Sequence, residues 1–150
     1  SQRARYALRA LQGLARERGH EPVLIAELAH RERIPLRFLQ QILLELNNQG
    51  VLQSKRGKGG GYQLLKRPEQ IRIGDIVRLF DGPLAPAACA SQRAFQRCQD
   101  CHDLETCGIR SLMREVRDAT ARILDSTTVA DLDRRADLLE GAQDAPASSG

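Results

Sequence analysis

The chain has 150 residues, 41% of them hydrophobic and 28% charged, with a formal net charge of +4 and four cysteines. That length suits one compact domain with a helical extension, and it excludes two full domains. No run approaches the roughly 18 consecutive apolar residues of a membrane span. Arg3, Arg5 and Arg9 lie inside a helical pattern rather than ahead of an apolar leader, so a soluble, cytoplasmic protein with no membrane partner is expected.

The first helix is predicted over about Arg3 to Arg18, where Ala7, Leu8, Leu11, Leu14 and Ala15 recur at helical spacing, and Gly19 and Pro22 stop it. A short second helix turns Ile25, Leu28 and Ala29 inward. Ile34-Pro35 then opens a third helix that runs from about Pro35 to Asn48, since proline suits a first helical turn. Leu39, Ile42, Leu43 and Leu46 form its apolar stripe, Arg37, Gln40, Gln41 and Glu45 lie outside it, and Gly50 is placed to end it. Three short helices with a tight second connection have the order of a helix-turn-helix, whose third helix reads the major groove.

Val51 to Lys55 and Tyr62 to Leu65 are strand-like, and Arg56-Gly57-Lys58-Gly59-Gly60-Gly61 between them makes a glycine-rich hairpin tip. Such a hairpin is a wing: its glycines let backbone approach a phosphate or enter a narrow groove, and its cations bring counterion release. A nucleotide-binding loop is the competing reading. It fails because no lysine followed by serine or threonine opens a helix after the glycines; Tyr62-Gln63-Leu64-Leu65 follows instead.

Charge agrees with a polyanion partner. Residues 1–75 carry 14 basic and 7 acidic side chains, whereas residues 76–150 carry 9 and 12. Between 46 and 68 there are Lys55, Arg56, Lys58, Lys66 and Arg67 and no acid, which is the footprint of a nucleic-acid surface, with a merely solvated basic face as the plainer alternative.

A fourth helix is expected through Ile73, Ile76, Val77 and Phe80, broken by Asp81-Gly82-Pro83. All four cysteines follow, spaced Cys-x8-Cys-x2-Cys-x5-Cys from Cys89 through Cys98 and Cys101 to Cys107. From Glu105 to Asp125, Ile109, Leu112, Met113, Val116, Ala119 and Ile123 keep one apolar face over a length of roughly 31 Å. A stripe that long suits burial against the same helix of a second copy. Thr128 caps a last helix carrying Leu132, Ala136 and Leu139. The fold class expected is mainly α with a small β-hairpin wing: a winged helix-turn-helix domain plus a long C-terminal dimerisation helix. The divisions are 1–80 for the DNA-binding domain, 81–104 for the cysteine loop, 105–140 for the dimerisation and final helices, and 141–150 for a disordered tail.

Four clustered thiols in a reducing compartment are ligands or redox groups before they are disulfides. Structural zinc, an iron-sulfur cluster and a thiol redox switch all remain open, because four thiolates satisfy either metal centre. Only Cys98 and Cys101 form a zinc-type knuckle, and His102 beside them reads as an exposed loop histidine. An enzyme is not expected: Cys98-Gln99-Asp100-Cys101 lacks the alternating strands and helices of a thioredoxin-like fold, no histidine and acid pair completes a triad, and no small-molecule substrate is implied.

Tyr6-Ala7-Leu8-Arg9-Ala10-Leu11, Ile34-Pro35 through Leu43, Gly50-Val51-Leu52, Arg56 through Tyr62, and the cysteine loop with its long helix together resemble the IscR/NsrR family of bacterial transcription regulators, over about residues 3–140. The resemblance implies a homodimeric winged-helix repressor or activator on a palindromic double-stranded DNA operator. Its iron-sulfur cluster, [4Fe-4S] or [2Fe-2S], would sense iron, cluster, redox or nitric oxide status. It places Pro35, Arg37, Phe38, Gln40 and Gln41 in the major groove, and Lys55, Arg56, Gly57, Lys58, Gly59, Gly60 and Tyr62 on the wing, with Arg56 in the minor groove. Glutamine can pair bidentately with adenine, and arginine with guanine or a narrow minor groove. Cys101 and Cys107 match the family's last two ligands by their five-residue gap. An equal gap upstream would fall on Phe95, and the thiol lies at Cys98 instead. Arg110 and Arg5 stand where relatives place a histidine or an acid as fourth ligand, which leaves Cys89 as the fourth and an all-cysteine set within one subunit.

Overall fold

A computed structural model describes residues 1–17 and 21–144; Gly19 and residues 145–150, where the sequence places a helix stop and most of a disordered tail, lie outside the described residues. The elements in chain order are helices α1 (Gln2–Ala15), α2 (Ile25–Glu32) and α3 (Leu36–Asn48), strands β1 (Leu52–Lys55) and β2 (Gly61–Leu64), and helices α4 (Ile73–Asp81), α5 (Gly108–Asp125) and α6 (Val129–Asp144). Single 3-10 turns occupy Pro68–Gln70 and Ala88–Ala90. The expected class, helical with one two-stranded antiparallel hairpin, is the one observed.

In α1, α2 and α3 the apolar spacings seen in the sequence supply the core. Ala7, Ala10 and Leu11 of α1, Leu28 of α2, and Leu39, Ile42, Leu43 and Leu46 of α3 are buried together in one core cluster. The turn between α2 and α3 is tight because Arg33 takes the left-handed conformation at φ 52° and Ile34 N–H donates back to the Ala29 carbonyl at 2.9 Å. Pro35 stands one residue before α3 as its N-cap rather than within its first turn.

The hairpin register pairs Leu52 with Leu64, Gln53 with Gln63, Ser54 with Tyr62 and Lys55 with Gly61. Val23 adds a further antiparallel bridge outside the hairpin: its N–H donates to the Tyr62 carbonyl at 2.8 Å and its carbonyl accepts from Tyr62 N–H at 2.9 Å. This bridge ties the base of the wing to the segment before α2. Gly61 permits it, since at φ 142° a side chain there would run into the Val23 carbonyl.

α5 begins at Gly108, three residues later than its apolar pattern suggested, because the Cys107 sulfur caps it by accepting from Arg110 N–H at 3.4 Å. Its 18 residues span about 27 Å. α6 then folds back on the winged helix. Ile73 N–H donates to the Thr127 carbonyl and Val129 N–H to the Ile71 carbonyl, each at 2.9 Å, and Val129 is fully buried in the common core. Gln12 of α1 and Arg16, its C-cap, both bond Asp133 of α6. The last helix runs on to Asp144, past the Gly141 at which the sequence placed the tail.

Candidate DNA-reading surface and cysteine loop

Burying one stripe of α3 turns the other face outward, so Pro35, Arg37, Phe38, Gln40 and Gln41 are all exposed. Phe38 is steadied at its base by Tyr6, whose ring centroid lies 6.3 Å away, and Arg9 in turn sits 5.9 Å over the Tyr6 ring. Leu36 and Leu44, 44% and 55% exposed, share this outer face. The sequence reading did not single them out. The signal was their place outside the Leu39–Leu46 stripe, and exposed apolar groups among glutamines suit thymine methyl groups in a major groove.

Lys55, Arg56, Gly57, Lys58 and Gly59 are exposed at the wing tip. None of its three cations has an ion-pair partner among the described residues, so their charge is free to meet phosphate. The tip turns through Gly57 and Gly59 at φ 86° and 73°, and Gly60 N–H closes it on the Gly57 carbonyl at 3.0 Å. Gly60 is buried and Tyr62 half-buried against the core, so these two shape and anchor the wing while the other five present it.

The cysteine loop lies between α4 and α5. Cys89 is buried in the 3-10 turn, Cys98 is exposed, Cys101 and Cys107 are half-buried, and all four are free thiols. Hydrogen bonding and charge from Cys89 push the Cys98 thiol up from its ordinary value. Among the described residues, no group of three or more histidine, cysteine or acidic side chains converges on a metal position. His102 is exposed, as read from the sequence.

Arginine-to-carbonyl bonds hold the loop, a feature with no sequence pattern to reveal it. Arg110 Nε donates to the Cys89 carbonyl at 3.0 Å and its Nη1 to the Leu104 carbonyl at 3.4 Å, with the guanidinium 6.0 Å over the Phe95 ring. Arg117 donates to the Ala90 carbonyl. Arg97 reaches the Cys101 carbonyl at 3.3 Å. Asp103 accepts from Glu105 N–H and the Thr106 hydroxyl, which lowers its pKa. Behind the loop, Arg78 of α4 grips Asp125 of α5 through two bonds of 2.7 and 2.8 Å, lowering the Asp125 pKa.

A helix-turn-helix with an exposed reading face, followed by a cationic wing, defines a winged-helix DNA-binding protein. The family described as Rrf2, an iron-dependent transcriptional regulator, matches residues 1–135. An rrf2-like HTH-type regulator of Rhodobacter capsulatus is 44% identical over 135 residues, covering 88% of this chain and 90% of that one. Among solved structures, CymR, titled the global cysteine regulator of B. subtilis, superposes with a TM-score of 0.71 at 32% identity, covering 88% of this chain and 93% of its own. T. potens IscR superposes with a TM-score of 0.73 at 28% identity, covering 97% and 91%. The chain belongs to the Rrf2 family of transcriptional regulators, and the resemblance to IscR-type regulators read from its motifs is borne out. It is a regulator and not an enzyme. No helix among the described residues is long and apolar enough to cross a membrane.

Proposed function

We propose that the protein acts as a homodimer on a palindromic operator and that its cysteine loop carries an iron-sulfur cluster whose state sets DNA affinity. The observation that carries this reading is placement: four thiols free of disulfides occupy the segment joining the reader to α5. The donor set fits such a cluster in number and kind, and its side chains must draw together to hold it. Arg110 is engaged with loop carbonyls, which favours Cys89, Cys98, Cys101 and Cys107 as ligands from a single subunit. When bound, the cluster supplies sensitivity to oxidants, nitric oxide and iron supply. The chain's own part is to convert loop order into the position of α5. Dimerisation is supported by α5 itself, which buries no residue in the monomer while Ile109, Leu112, Val116 and Ile123 stand 43–70% exposed along one side. Such a stripe is covered by a two-fold partner. Within each protomer, Arg37, Gln40 and Gln41 take the major groove and Arg56 the adjacent minor groove.

The test is anaerobic purification with an absorption spectrum and iron and sulfide counts, followed by operator binding of holo and apo protein at fixed salt. Equal affinity of the two forms sinks cluster control. A second reading is favoured by the free and exposed Cys98 thiol, in which the loop is a metal-free thiol switch. Protein that lacks iron and sulfide and changes affinity on peroxide treatment, but not after Cys98→Ser, would support that reading. Bound zinc with constant affinity would make the loop structural.

A further inference from the structure

We propose that the groove between the C-terminal end of α4, the strap that follows it and the inner side of α5 binds a small organic dianion, independently of the cysteines. The groove encloses about 570 Å³, within the range of roughly 300–1,000 Å³ typical of small-molecule sites. Its charge is unbalanced in a specific way. Four arginines and two aspartates line it, and both aspartates are already taken: Asp125 by Arg78, and Asp118 by Arg117 at 2.6 and 2.9 Å. Arg93 on the strap and Arg122 on α5 are left without a carboxylate partner among the described residues. Two guanidiniums without an ion-pair partner, one from the strap and one from α5, match a doubly charged ligand, because each can bond an oxyanion through its planar fork.

Two further features select an organic anion. Ser91, the buried polar residue of this strap at 8% exposure, accepts from Ala94 N–H at 3.0 Å and keeps its hydroxyl proton uncommitted among the described residues. Leu84 and Ala121 give the groove an apolar stretch beside the cations, which suits a short carbon body. The site also stays open in a dimer. At about 100° per residue, Arg117, Ala121 and Asp125 lie on roughly the opposite side of α5 from Ile109, Leu112, Val116 and Ile123, and Arg122 lies on the flank, about 110° from the centre of that stripe. A partner seated on the apolar stripe therefore leaves the Arg117–Ala121–Asp125 wall uncovered and meets Arg122 only at its edge. A ligand here touches the reader, the strap and α5 together, which is where an effector would act.

Thermal unfolding of the full chain at constant ionic strength tests this with succinate, glycerol 3-phosphate and the uncharged succinamide. A saturable rise of about 5 °C at hundredfold excess over Kd is expected with at least one dianion and none with succinamide. A response to succinate alone assigns a dicarboxylate, and one to glycerol 3-phosphate alone assigns a phosphate monoester. Arg93→Gln and Arg122→Gln should each abolish the rise, whereas Arg135→Gln on α6 should keep it. Ala121→Met, which fills the groove and leaves charge unchanged, should abolish it too. No saturable rise with either dianion, an equal rise with succinamide, or a rise retained in both groove arginine variants overturns the proposal.

Discussion

Replacing Arg110 by Gln should open the cysteine loop without unfolding the protein. Arg110 joins carbonyls at the two ends of the loop, those of Cys89 and Leu104. Removing a bond from a charged donor costs about 1.5–3 kcal/mol. Here the guanidinium is half-exposed and one contact is long at 3.4 Å, so about 2 kcal/mol for the pair is the expected loss. That shifts the closed-to-open ratio by roughly 30-fold. Cys89 is the natural reporter, since it is 6% exposed and reacts only when the loop opens. A background of Cys98→Ser, Cys101→Ser and Cys107→Ser isolates it, and serine at 107 keeps an oxygen to cap α5. Labelling of Cys89 by a thiol reagent should quicken about 30-fold in Arg110→Gln. An increase below about threefold, or one explained by a matching drop in the global unfolding midpoint, refutes the clamp.

Other consequences follow from charge and from exposed apolar groups. The Asp125 carboxyl is held below its ordinary value chiefly by its hydrogen bonds from Arg78. Its contribution is therefore full above the unfolded carboxylate value near pH 3.9 and is lost as pH falls through the lower folded value. Arg78→Met should flatten that acid limb in a pH series of unfolding midpoints, and an unchanged limb would contradict it. Arg56→Ala should weaken operator binding by about 1–3 kcal/mol and reduce the salt slope by about one, and should leave the absorption of the proposed cluster unchanged. Wild-type affinity in a gel-shift titration would remove Arg56 from the interface. Val116→Asp places a charge in the middle of the exposed α5 stripe and should yield monomers by sedimentation; a dimer of unchanged stability would move the interface elsewhere.

What could be read from the chain alone was what local periodicity encodes. The Leu39–Ile42–Leu43–Leu46 stripe, the glycine tip and the cationic wing each carry a repeat or a residue type tied to one conformation, and the structure follows them. The Val23–Tyr62 bridge has no such mark, since a one-residue pairing has no period, and it depends on where the chain returns after α1. The return of Thr127 and Val129 to Ile71 and Ile73 is hidden for the same reason. Its effect is larger, because it draws the final helix into the reader's core while α5 stays on the outside. In the candidate site, the exposed face of α3 was legible by subtraction from its buried stripe. The hold on the cysteine loop was not, because an arginine bound to a carbonyl is indistinguishable in sequence from an arginine in solvent.

The way α5 is attached bears on how a signal could leave the loop. Its outer stripe is apolar, and its inner side meets the protein mainly through Arg110, Arg117 and the Arg78–Asp125 pair, with Leu124 packed partly buried on the core near its C-terminal end and no fully buried residue. Apolar packing resists sliding because separating close-packed surfaces loses many contacts at once. A few polar bonds can be exchanged for water or for one another at small net cost, so a polar seam permits α5 to shift as a unit while the winged-helix core keeps its shape. In the proposed dimer, ordering the loop would then act on the distance between two recognition helices rather than on either helix itself. If that is the route, Arg117→Leu should stiffen the seam by replacing an exchangeable bond with apolar contact. Operator affinity should then become independent of loop state while each reader retains its phosphate contacts and salt dependence. An Arg117→Leu protein that still distinguishes the two loop states by the wild-type ratio would locate the coupling outside this seam.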